Sequence, residues 1–103
     1  MDVYDRINEL PAGSSIFVDL HDTLLFGGSF GAEVNLPLVE ALIAAQRRGI
    51  AVCLWTAGTF NEALHGVNIM AQHGLAFEDV FCNVLKPAGL IIDNIAVNPN
   101  DTR

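Results

Sequence analysis

Basic side chains are scarce in this 103-residue chain. Arg6, Arg47, Arg48, Lys86 and Arg103 stand against twelve acids, for a formal net charge of −7. No basic patch exists to neutralise a nucleic-acid backbone, so duplex DNA or RNA is not expected as a partner. Charged residues make up only 17% and hydrophobic ones 51%, which excludes a disordered chain and fits strands covered on both faces. No apolar stretch approaches the roughly 20 residues that cross a bilayer. The segment from Met1 to Arg6 carries acids and lacks a basic start followed by an apolar run, so no secretory signal is expected and the reading is cytoplasmic. The two cysteines, Cys53 and Cys82, sit singly in apolar segments and read as buried free thiols. His65 and His73 have no cysteine or carboxylate at ligand spacing, so zinc is not expected there.

What is present is an alternation of short apolar runs and helical stripes, enough for one domain over residues 1–103. Residues 14–20 (SSIFVDL) read as a buried strand, followed by a glycine-rich loop from Gly27 to Gly31. Residues 36–48 place Val39, Leu42, Ile43 and Gln46 at helical spacing, with Asn35 to cap, Pro37 in the first turn and Gly49 past the end. Residues 50–56 (IAVCLWT) form a second strand. Thr59-Phe60-Asn61-Glu62 is a capping box opening a second helix, with Ala63, Val67, Met70 and Ala71 as its stripe and Gly74 as its stop. Residues 79–85 and 89–93 read as two more strands. Strands separated by helices predict right-handed crossovers and a short parallel sheet.

In open sheets of this kind, ligands bind beyond the carboxyl ends of the strands. Those ends carry Asp19 with His21 and Asp22, then Thr56, then Lys86, then Asp93 with Asn94, each polar group directly after an apolar run. Carboxylates from separate strands suit a hard cation such as Mg²⁺. An aspartate there can attack phosphorus, and a threonine hydroxyl and a lysine ammonium can hold the phosphoryl oxygens. The bland readings are a turn for Asp93-Asn94 and a solvated loop position for Lys86.

The same residues resemble the haloacid-dehalogenase-like hydrolases. Phe17-Val18-Asp19-Leu20-His21-Asp22-Thr23 is similar to the family's first motif, an apolar strand followed by Asp-x-Asp-x-Thr. Leu54-Trp55-Thr56-Ala57-Gly58 matches the second, Lys86 the third, and Ile91-Ile92-Asp93-Asn94 the acidic fourth. The likeness spans roughly residues 14–98 and is closest to small members without a cap domain. It implies a three-layer α/β/α sandwich with a short parallel sheet in the strand order 3-2-1-4. It also implies Asp19 and Lys86 as catalytic groups, with phosphate held by Thr56, Ala57 and Lys86. The implied Mg²⁺ ligands are Asp19, the His21 backbone carbonyl, Asp93 and Asn94. On this reading Asp19 and Asp93 end neighbouring parallel strands and share the cation, and Lys86 reaches towards Asp19.

Two positions depart from the family pattern: His21 replaces the second aspartate of the first motif, and Asn94 replaces the second acid of the fourth. Histidine does acid–base work near neutral pH, which gives His21 that role by chemistry rather than by inheritance. The leading expectation is a Mg²⁺-dependent phosphohydrolase acting through an aspartyl-phosphate at Asp19 on a phosphorylated substrate. An open, uncapped site admits a large substrate or closure by a second copy in a homo-oligomer. The alternative is a silenced relative that binds metal or phosphate, or serves as an interaction module. A receiver-like phosphoacceptor domain fits less well, because the richest acidic motif follows the first strand.

Overall fold

The computed structural model describes residues 3–84 and, for its backbone pairing, the strand at residues 90–93. The elements run α1 (Val3–Glu9), β1 (Ser15–Val18), β2 (Leu25–Phe26), β3 (Glu33–Val34), α2 (Leu36–Arg47), β4 (Ala51–Trp55), α3 (Phe60–Gln72), β5 (Val80–Phe81) and β6 (Leu90–Asp93). The main sheet has the order β5-β4-β1-β6, and β2 with β3 forms a separate antiparallel ribbon.

The expected strand order holds, and β5, β4 and β1 are parallel as expected. The fourth strand differs in direction. β6 runs antiparallel to β1, pairing Val18 with Leu90 and Ser15 with Asp93. The sequence offers no helix between the third and fourth strands, and a return without a crossover element leaves the antiparallel direction open.

Helix ends follow the local chemistry. Asn35 caps α2 by accepting from the Leu38 N–H and also donates to the Thr23 carbonyl at 3.0 Å. Thr59 and Glu62 form the full capping box of α3. Gly49 and Gly74, just past α2 and α3, take the left-handed backbone that closes a helix at low cost. Two elements were not legible as such. The first is α1, whose Ile7 is fully buried; the carbonyls of Ile7 and of Leu10, just past the helix, accept from the Arg48 guanidinium at 2.8 and 3.1 Å. The second is the β2–β3 ribbon, in which Gly31 lies so close to the Phe26 carbonyl that no side chain fits.

Both parallel crossovers step in the same direction, β1 to β4 to β5, so right-handedness puts α2 and α3 on one face of the sheet. Ile16, Val18, Val52 and Leu54 point to that face and join Ile7, Leu42, Ala45, Ala63 and Met70 in one buried core. The opposite face carries Phe17, Trp55 and Phe81, whose rings contact one another at 5.4–6.3 Å. The described residues thus form two layers, helices on sheet, where the resemblance implied three. Ala71, expected in the α3 stripe, is exposed, and Gly66 takes the buried position instead.

Gly66 sets how α3 meets the sheet. A Cβ there would lie 2.6 Å from both Cδ atoms of Leu20, a side chain buried completely between Asp19 and His21. Leu20 is fully buried in the core, so it can yield only by displacing its packed neighbours. Alanine is the better helix former by about 1 kcal/mol, whereas overpacking costs about 1–3 kcal/mol. Gly66→Ala should therefore lower stability on balance, read as an earlier urea midpoint with an unchanged slope. A later midpoint would show that Leu20 is not wedged against the helix.

Candidate functional site

The site forms where β1 and β4 end side by side. Their register pairs Val18 with Leu54, so Asp19 and Thr56 leave adjacent strands within one residue of the same level. Asp19 is 2% exposed, and its Oδ1 accepts from the Leu20 N–H at 2.9 Å. The chain then folds back on itself: the N–H groups of Leu24 and Leu25 both donate to the Leu20 carbonyl, at 2.9 and 3.0 Å. Asp22 sits at φ 61° in that turn and donates its N–H to Leu25, which gives it a structural place.

Thr56 is fully buried. Its N–H donates to the Phe81 carbonyl at 2.8 Å, and its Oγ1 accepts from the Gly58 N–H at 3.0 Å, curling residues 56–58 into a tight loop. The Gly58 carbonyl accepts from Asn83, a residue at φ 56° after β5. Ala57 lies exposed in the middle of this loop. Gly58 is where the parts meet. A Cβ at that position would lie 3.0 Å from His21 Cε1 and 3.3 Å from both Thr56 Oγ1 and Glu62 Cβ.

His21 is half-buried. Its Nε2 lies 3.1 Å from the Ser29 carbonyl and 3.7 Å from Glu62 Oε2. The other carboxylate oxygen of Glu62 accepts from the Thr59 N–H and hydroxyl, each at 3.1 Å. The Glu62 carboxyl is held below its ordinary pKa, first by the Thr59 N–H, then by hydrogen bonds from the Ser29 and Thr59 side chains and by the nearby His21. His65, one turn further along α3, reaches the Gly31 carbonyl at 2.9 Å, and its ring meets Phe30 edge-on. The tip of the glycine-rich ribbon is thereby held over this end of the sheet.

Of the residues singled out from sequence, Asp19, His21, Thr56 and Ala57 fall at this strand end. Lys86 and Asn94 lie outside the described residues. Asp93 is placed elsewhere, because its register partner Ser15 sits at the opposite end of β1, roughly 13 Å along the strand at about 3.3 Å per residue. The expected pair of carboxylates on neighbouring parallel strands is therefore not assembled: an antiparallel strand carries its last residue away from the carboxyl edge. Among the described residues no group of three or more His, Cys, Asp or Glu side chains is placed to hold a metal ion. The described residues do not fit a two-carboxylate Mg²⁺ site.

Glu62, Ser29 and His65 belong to the site and were missed. Glu62 is legible only as a helix cap, although a helix that starts directly after Thr56-Ala57-Gly58 brings its first turn close to the strand end. Ser29 and His65 carry no local signal, since their roles depend on where the ribbon lands. Cys53 is a buried free thiol as expected, raised above its ordinary pKa chiefly by burial and also by the charges of Asp79 and Glu78; Cys82 is free and half-buried. A concavity of about 420 Å³ lies at the far end of the strands, lined in part by Gly13, Ser14, Gly49 and Glu78.

Compared with known proteins, the chain matches no family model, no curated protein and no solved structure.

The Glu62 shift has a consequence for stability. A carboxyl whose folded pKa is depressed stabilises the fold fully above its unfolded value, near 4.5, and loses that contribution as pH falls through the lower folded value. Glu62→Gln should flatten the acid limb of the stability curve below about pH 4.5, with little change in slope above it. Parallel acid limbs for the two proteins in urea titrations would refute a stabilising role for the ionised carboxylate.

Proposed function

We propose that the chain is a phosphohydrolase of the haloacid-dehalogenase-like kind, with Asp19 as nucleophile and His21 as acid–base group. The observation that carries the proposal is that Asp19 and Thr56 leave adjacent parallel strands at one end of the sheet, while His21 and Thr56 both lie against Gly58. A carboxylate oxygen of Asp19 attacks phosphorus, and the bond from phosphorus to the alcohol oxygen breaks. The His21 imidazolium gives the departing alkoxide its proton. Neutral His21 then takes a proton from water, whose oxygen attacks phosphorus and returns Asp19 as a carboxylate with free phosphate. Thr56 and the tight loop behind it supply the polar edge against which phosphoryl oxygens rest. No step is routed through a cation, because the described residues do not assemble its ligands.

A second reading is favoured by that same missing carboxylate: a relative that retains phosphate binding and has lost turnover.

The two readings separate on a panel of phosphomonoesters, assayed with and without Mg²⁺. A hydrolase should lose nearly all turnover in Asp19→Asn. In His21→Ala it should lose about 10²–10⁴-fold in kcat, while tungstate binding persists in that variant. Wild type without turnover, and a gain of turnover in His21→Asp, would establish the silenced relative. Absence of turnover in both, with no tungstate binding, would remove the phosphoryl reading altogether. Turnover that depends on Mg²⁺ would place the cation on groups beyond the described set.

A further inference from the structure

We infer that His65 is a positioning residue for His21, acting through the tip of the glycine-rich ribbon, and that the pair leaves Nδ1 of His21 as the nitrogen that exchanges protons. This rests on the acid–base role proposed for His21. A backbone carbonyl only accepts, so the 3.1 Å contact between His21 Nε2 and the Ser29 oxygen requires the proton on Nε2. Glu62 Oε2, 3.7 Å from the same nitrogen, favours that placement too. In the neutral ring the lone pair is then on Nδ1, which leaves Nδ1 as the nitrogen able to accept a proton while the Ser29 contact holds.

The Ser29 carbonyl keeps its place because the ribbon tip is tied at both ends. On one side the Ser29 hydroxyl bonds to Glu62, which the Thr59 cap fixes to the start of α3. Two residues further on, the Gly31 carbonyl accepts from His65 Nε2 at 2.9 Å, and the ring of Phe30 lies 5.5 Å from the His65 ring. Through these two contacts His65 meets the ribbon rather than the strand end. It acts on the site only by holding the acceptor that selects the tautomer of His21, as a second-layer partner orients a catalytic or metal-bound imidazole elsewhere.

Nitrogen-15 NMR of the imidazoles, recorded above about pH 8 where an ordinary histidine is neutral, reads this without reference to turnover. Wild-type His21 should show a protonated Nε2 with slowed solvent exchange. His65→Phe keeps a ring against Phe30 and removes the donor, and should speed exchange of the His21 Nε2–H by about ten-fold, as expected for loss of one hydrogen bond. His65→Gln restores a donor towards Gly31 and should return the rate towards wild type. In any phosphatase assay that shows turnover, His65→Phe should lower kcat with KM unchanged. A proton on Nδ1 in wild type, or an unchanged exchange rate in a folded His65→Phe variant, would overturn the inference. An intact NMR signature in a protein without turnover would instead count against the hydrolase reading alone.

Discussion

Leu20 is the constraint on which the rest depends. Its side chain fills the space over Gly66 where a helix residue would otherwise project, and its carbonyl gathers the N–H groups of Leu24 and Leu25. The side chain is an apolar anchor whose burial is worth about 1.5–3 kcal/mol, and the carbonyl is a turn-forming acceptor. Leu20 is locked inward, with Asp19 buried beside it at the strand end and His21 half-buried on its other side. Asp19 stops at the strand end and His21 is turned out towards Gly58 and the ribbon. The positions of both proposed reacting groups are thus set by a residue with no chemistry of its own, and by a glycine on a different element.

A second economy lies in Glu62. One carboxylate oxygen closes the start of α3, and the other faces His21. Helix capping and the electrostatics of the strand end therefore share one side chain, which the helix holds at a fixed height above the sheet. Such sharing suits a small domain, where few residues remain after the core is filled.

The parts of this arrangement that were legible in sequence are those governed by local rules. The strand cores, the Asn35 cap, the Thr59–Glu62 box and the glycines after α2 and α3 all follow from residue type and spacing. So does the meeting of Asp19 and Thr56, since parallel strands joined by helices bring their carboxyl ends to one edge. Strand direction in the last element is not legible, because no crossover helix dictates it, and so the position of Asp93 at the Ser15 end of β1 is not either. Nor is the ribbon: a Gly-Gly-Ser-Phe-Gly stretch shows no period, and its fold comes from contacts with α3. The three layers rest on resemblance alone, whereas the direction of the two crossovers determines that α2 and α3 share a face.

The most direct measurement of whether the strand end is a phosphate site is a residue-resolved amide NMR titration with inorganic phosphate or tungstate. Binding there predicts shifts confined to residues 19–21 and 56–59, abolished in Thr56→Val while the remaining spectrum stays folded. Shifts centred instead on Gly13, Ser14 and Gly49, at the opposite end of the strands, or none at all, would contradict the assignment of function to Asp19 and its neighbours.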